Sequence, residues 1–161
     1  MNLKNIIVRK MDIYDSDKVC KIFAQGDTYH KENLPHIFNN PPKPARNNEF
    51  FNQILNSEKA TILVAELQDS ILGFVFVSIR KVAGDPLLKE RSYAVVDNMV
   101  VEEKYRNKGL GRILLTEAIT WAKIKGITKM ELNVWEFNQN AINFYEKLGF
   151  ETISRKMKKK I

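Results

Sequence analysis

A single cysteine, Cys20, excludes an internal disulfide and suits a reducing compartment. No residue near it in sequence marks it as a nucleophile. The two histidines, His30 and His36, have no third ligand of suitable type at sensible spacing, so they do not read as a metal pair. No apolar run approaches the roughly 18 residues needed to cross a bilayer. Near the N-terminus the only apolar run is Ile6-Ile7-Val8, charged on both sides and unlike the core of a signal peptide. These shortages lead us to expect a cytoplasmic protein with no membrane partner and no metal. Glycine is also sparse, seven in 161 residues, so its placement carries information. Two of the seven, Gly109 and Gly111, stand together between an apolar run and an amphipathic one.

At 161 residues a single domain, 1–161, is expected, able to bury roughly two-thirds of its unfolded surface. The hydrophobic share of 44% and charged share of 28% are those of a soluble globular protein. Basic residues outnumber acidic ones, 26 to 19, for a net charge of +7. Part of this charge lies at the end of the chain, in Arg155-Lys156 and Lys158-Lys159-Lys160. One reading is an anion- or RNA-binding surface, the other a solvated tail. No aromatics interleave with the basic run, so a nucleic-acid stacking platform is not indicated.

Taken in order, residues 3–10 read as a strand. A helix follows, capped by Asp15 or Ser16, with Val19, Cys20, Ile22 and Phe23 on one side, fading near Gly26. Residues 27–48 hold four of the five prolines and read as a short helix plus a loop folded over a pocket, or as a surface loop. Here His30 and His36 suit surface or capping roles. A helix over 49–56 turns Phe50, Phe51, Ile54 and Leu55 inward. Strands over 60–67 and 71–82 flank the turn Gln68-Asp69-Ser70, and Gly84-Asp85-Pro86 ends the second. A strand over 93–101 leads through the glycine turn into a helix over 110–125, whose stripe is Leu110, Ile113, Leu114, Ala118, Trp121 and Ala122. A strand over 128–135, a helix over 138–148 and a last strand over 150–157 complete the chain. The order β-α-α-β-β-β-α-β-α-β predicts an α/β (α+β) fold. Its mixed, mostly antiparallel sheet would have six or seven strands, with helices on both faces.

The turn Arg106-Asn107-Lys108-Gly109-Leu110-Gly111 is built for a phosphorylated ligand. A helix N-terminus presents unpaired N–H groups at the positive end of its dipole. It is not a P-loop, for nothing matches G-x-x-x-x-G-K-[ST]. It is not a dinucleotide fingerprint, since Leu114 stands where the third glycine belongs. What remains is R-x-x-G-x-G between strand and helix. The stretch from Val101 to Gly111 matches V-x-x-x-x-[QR]-x-x-G-x-[GA]. Asn138, Ala141, Phe144, Tyr145, Lys147, Gly149 and Phe150 match N-x-x-A-x-x-[FL]-Y-x-K-x-G-F. Together, in this order, the two motifs resemble those of the GNAT superfamily of acetyl-CoA-dependent N-acyltransferases.

The resemblance implies an enzyme transferring the acetyl group of acetyl-CoA directly to a primary amine through a ternary complex. The N–H groups of residues 106–111 would hold the pyrophosphate, with Arg106 and Lys108 adding charge. Arg112 would reach the 3′-phosphate or remain a surface cation. Main-chain groups near Met99, Val100 and Val101 would bind the pantetheine arm. Tyr145 would protonate the departing thiolate. Asp97 matches the base position of polyamine-type members, which carry glutamate there, and Glu131 is the reserve. Asn138 lies in the second motif beside the coenzyme and also suits a helix cap. Asn133 and Trp135 would line the acceptor pocket or simply pack, and Glu32 could add to an acidic pocket. Dimerisation is common in the family, which leaves a homodimer open. The alternative to an enzyme is a non-catalytic CoA-binding or basic RNA- or anion-binding module on the same fold.

Overall fold

Strand β2 (Ala60–Leu67) is apolar at both parities. Ile62 and Val64 face one side of the sheet, Leu63 and Ala65 the other, and all four are buried. A strand buried on both faces calls for helices above and below. The computed structural model describes residues 5–84 and 86–161. Its other elements are β1 (Ile7–Lys10), α1 (Ser16–Asn33), α2 (Asn48–Leu55), β3 (Ser70–Val82), β4 (Arg91–Val101), α3 (Leu110–Ile124), β5 (Met130–Leu132) and α4 (Gln139–Glu146). Short 3-10 turns cover Ile13–Asp15 and Glu103–Tyr105. The strands lie side by side in chain order, antiparallel from β1 to β4, with β5 parallel to β4.

On one face α1 and α2 pack Val19, Ile22, Phe23, Phe51 and Ile54 against Ile62, Val64 and Phe74. On the other, α3 lays Leu110, Leu114, Leu115, Ala118, Trp121 and Ala122 on Leu63, Val75, Ala94 and Val96. That is the expected stripe with Leu115 added and Ile113 only half-buried.

Two irregularities in β4 prepare the site. Phe76 pairs with Asn98 and Val77 with Val96, which leaves Asp97 as the extra residue of a bulge. In addition, β4 pairs with β5 only through Ala94, Val95 and Val96. Residues 97–101 therefore carry an open edge on the β5 side.

Among the described residues five strands form, not the six or seven expected, and residues 150–157 are not a strand. Phe150 turns back onto Tyr145, its N–H donating to Tyr145 O at 3.1 Å, and residues 151–161 are exposed. A short segment becomes a strand only where an edge supplies its ladder, and local sequence cannot name that edge. The expected element order thus loses its last member. The strand expected over 128–135 shortens to Met130–Leu132 because its partner β4 diverges after Val96.

Helix α1 does not fade near Gly26 but runs to Asn33, taking in the first part of the 27–48 segment. A Cβ at position 26 would lie 3.0 Å from Val100 Cγ2, so glycine lets the helix ride close over β4. This packing outweighs a helix-propensity cost of about 1 kcal/mol. Asp15 is the N-cap residue of α1, one of the two expected, but makes no side-chain cap bond; the side-chain cap lies one turn earlier, where Asp12 opens the 3-10 turn by accepting from Tyr14 N at 3.0 Å. Leu55, expected inside, is exposed. The hairpin turn needs only Gln68 and Asp69, both at positive φ, the type I′ pattern that matches strand twist. Of the expected first strand, residues 3 and 4 lie outside the described residues, as does Asp85 in the expected stop. Among the described residues no helix is long and apolar enough to cross a membrane.

Candidate active site

Gly109 is the N-cap of α3 with φ +86°, in the left-handed region. The helix has no side-chain cap and no acid in its first turn. Its first internal bond runs from Ile113 N to Gly109 O at 3.2 Å. The N–H groups of Leu110, Gly111 and Arg112 therefore point out of the helix end without intrahelical partners. Asn107, also at positive φ, curls the chain before it. The N–H of Arg106 is already bonded to Glu103 O at 3.1 Å, so it drops out of the expected 106–111 cradle. Leu110 is fully buried, so only its backbone faces the turn. Arg106 Nε donates to Val101 O at 3.0 Å and Lys108 Nζ to Lys104 O at 2.9 Å, which keeps both cations beside the turn. Arg112 is exposed and forms no ion pair among the described residues.

The open edge of β4 runs straight into this turn. Glu102 N donates to Leu72 O on β3 at 2.8 Å. Backbone alternation then turns the N–H groups of Met99 and Val101, and the carbonyl of Met99, toward the gap beside β5. Val100 turns its side chain to α1 instead. The far wall is α4. A Cβ on Gly111 would lie 3.2 Å from Phe144 Cζ and 3.9 Å from Met99 Cε, so β4, α3 and α4 meet here.

Tyr145, next along α4, packs its ring against Phe144 and Phe150 with centroids 5.1 and 5.5 Å apart. Its hydroxyl bonds no protein group among the described residues and is not sealed from solvent. Burial pushes its pKa up to about 12, because a phenolate is poorly solvated there. Asn138 caps α4, its side chain accepting from Ala141 N at 3.2 Å.

The two candidate bases are both covered by arginines. Asp97 Oδ2 accepts from Ser78 Oγ at 2.5 Å and Oδ1 from Arg80 Nη2 at 2.6 Å. Glu131 is paired with Arg91, whose guanidinium lies 4.4 Å from the Tyr93 ring centre.

Residues 26–150 match the Acetyltransferase (GNAT) family. This chain belongs to the GNAT family. It is 29% identical over 102 residues to an uncharacterized N-acetyltransferase of Methanocaldococcus jannaschii, a match covering 63% of this chain and 44% of that one. The chain thus spans less than half the length of that curated relative. A solved Bacillus halodurans protein, BH1408 in tetramutant form, shares the fold with a TM-score of 0.90 at 24% identity, covering 96% of this chain and 99% of that one. The aminoglycoside N-acetyltransferase AAC(6')-Iy, solved in complex with CoA, superposes with a TM-score of 0.72 at 18% identity, covering 97% and 94%.

The motifs did not point to the aromatic bridge that this GNAT domain builds beside its open edge. Tyr29 on α1 meets Phe137 at 5.6 Å, His30 meets Phe38 at 5.3 Å, and Phe38 meets Trp135 at 5.5 Å between ring centres. The 27–48 segment is thereby tied to the loop between β5 and α4, and His30 is a packing ring rather than a cap. Trp135 is both part of this wall and 42% exposed. The clustering of Tyr29, His30 and Phe38 was visible in sequence, but their partners lie about a hundred positions away. A cleft of about 360 Å³ adjoins the bridge, lined by Gln25, Thr28, Tyr29 and Glu32 from α1 and by Glu103 and Arg106. The arginines over the two carboxylates were likewise not singled out in sequence.

Proposed function

We propose that this GNAT domain is an N-acetyltransferase that takes acetyl-CoA along the open edge of β4 and passes its acetyl group directly to a primary amine. The observation that carries the reading is the run of free main-chain groups from Met99 and Val101 into an uncapped helix N-terminus. The family assignment and the CoA bound to AAC(6')-Iy support the same co-substrate.

The N–H groups of 107–112 receive the pyrophosphate, and Arg106 and Lys108 add charge. Met99 and Val101 bond the pantetheine amides as an added strand would. One of these N–H groups also faces the thioester carbonyl and stabilises the charge that grows on its oxygen. The acceptor nitrogen gives up a proton to Asp97, to Glu131 or to water, and attacks the carbonyl carbon. The C–N bond forms, the C–S bond breaks, Tyr145 donates its proton to the departing thiolate, and the second proton shed by the newly acylated nitrogen restores the phenol. With its pKa near 12, Tyr145 carries that proton throughout the neutral range. Cys20 is no nucleophile in this scheme: it is buried on α1 with its Sγ donating to Arg46 O at 3.0 Å. A cytoplasmic location follows from the same reading, since acetyl-CoA is an intracellular metabolite.

The test is acetyl-CoA-dependent release of free thiol, followed with a thiol reagent across a panel of amines. Release with at least one amine is expected. CoA binding without release for any amine would leave a non-catalytic CoA-binding module.

A further inference from the structure

We propose that Asp97 is where the acceptor's ammonium group docks, and that Arg80 occupies that place in the resting protein and so sets acceptor affinity. The inference rests on the N-acetyltransferase reading above.

The bulge places the carboxylate. Phe76, Ser78 and Arg80 alternate on the α1–α2 side of β3, and the extra residue in β4 brings Asp97 onto the same side. Ser78 then holds Oδ2 from within the sheet, and Arg80 reaches Oδ1 from outside. The two partners differ in kind. The Asp97 side chain is 15% exposed and that of Arg80 57%, so the guanidinium comes in on a long solvated stem. It makes one N–H···O bond through Nη2, not the two-pronged fork that makes arginine hard to replace. A primary ammonium supplies the same single charged bond. Among the described residues Arg80 has no aromatic ring beneath it, whereas Arg91 over Glu131 is stacked on Tyr93. Of the two covered carboxylates, Asp97 is therefore the one an incoming cation can uncover. Ser78 would keep it in position once Arg80 swings out.

The acceptor class that follows is an aliphatic primary amine, charged when it arrives. A neutral arylamine gains nothing from Asp97.

The experiment measures steady-state kinetics with acetyl-CoA and, as acceptors, tyramine, putrescine and the arylamine 4-aminobenzoate. Arg80→Gln is expected to lower KM for the aliphatic amine that is turned over by about two- to fivefold, the worth of a part-exposed ion pair. The acetyl-CoA KM, the kcat and any arylamine KM should stay within twofold. Arg80→Lys, which keeps a single charged donor, should return KM toward the parent value. An unchanged or raised aliphatic KM in Arg80→Gln, with the parent active, overturns the inference and leaves the transferase reading standing. If Arg80→Gln does not fold, Asp97→Asn decides: a raised KM for the aliphatic amine alone supports the docking site, and an unchanged one removes it. A parent that acetylates no amine removes both readings.

Discussion

Gly109→Ala is the substitution that best separates a phosphate cradle from an ordinary turn. Gly109 has φ +86° and ψ −5°, where an alanine costs about 1–2 kcal/mol. Residues 106–109 are exposed, so little packing holds the turn in place against that strain. The substituted turn should relax, and the penalty should fall on binding, because coenzyme must restore the glycine conformation. At 1.4 kcal/mol per factor of ten, CoA affinity should drop about 5- to 30-fold, with kcat at saturating acetyl-CoA little changed. Titration calorimetry with CoA reads the first and thiol release the second. Gly111→Val provides the contrast. Even a single Cβ there would lie 3.2 Å from Phe144, so the larger side chain pushes the residue beside Tyr145, and kcat should fall along with affinity. A Gly109→Ala protein that binds CoA within twofold of the parent would refute the argument that this turn holds the phosphates.

Tyr145→Phe should lower kcat about 100-fold, as loss of a general acid does, and leave the acetyl-CoA KM nearly unchanged, read by the same thiol assay. Because burial raises the Tyr145 pKa from 10.0 to about 12, folding favours the protonated phenol. Its contribution to stability is complete below pH 10 and lost as pH rises toward 12, a loss that thermal melts of Tyr145→Phe should not show. At the other end of the scale, Arg9 holds Asp15 below the usual carboxylate range through bonds of 2.6 and 3.0 Å. That stabilisation is present above the ordinary value of 3.8 and fades as pH falls below it. Asp15→Asn should lower stability by about 1–3 kcal/mol at pH 7 and by less in acid, measured by urea unfolding. Leu114→Ala, at a fully buried position of α3, should cost about 2–5 kcal/mol in the same assay.

Much of this protein is decided locally. The turn between β2 and β3, the Asn138 cap, most of the α3 stripe and the glycine turn before it each depend on neighbours a few residues away, so residue types and spacing suffice to find them, though not the positive φ of Gln68, Asp69 and Gly109. The glycine turn before α3 and the helix that carries Tyr145 are legible in sequence for the same reason. Tertiary structure decided the rest. Gly26 ends a helix by propensity but lies inside α1, because Val100 lies beneath it. Residues 150–157, expected to form a strand, find no ladder among the described residues. Where β4 parts from β5 depends on which backbone groups lie across from one another, and no single stretch records that. The bulge at Asp97 is of this kind: pairing Phe76 with Asn98 and Val77 with Val96 brings Ser78 and Arg80 onto one carboxylate. The motif resemblance singled out Asp97 as a candidate base, and only the strand register determined what already holds it.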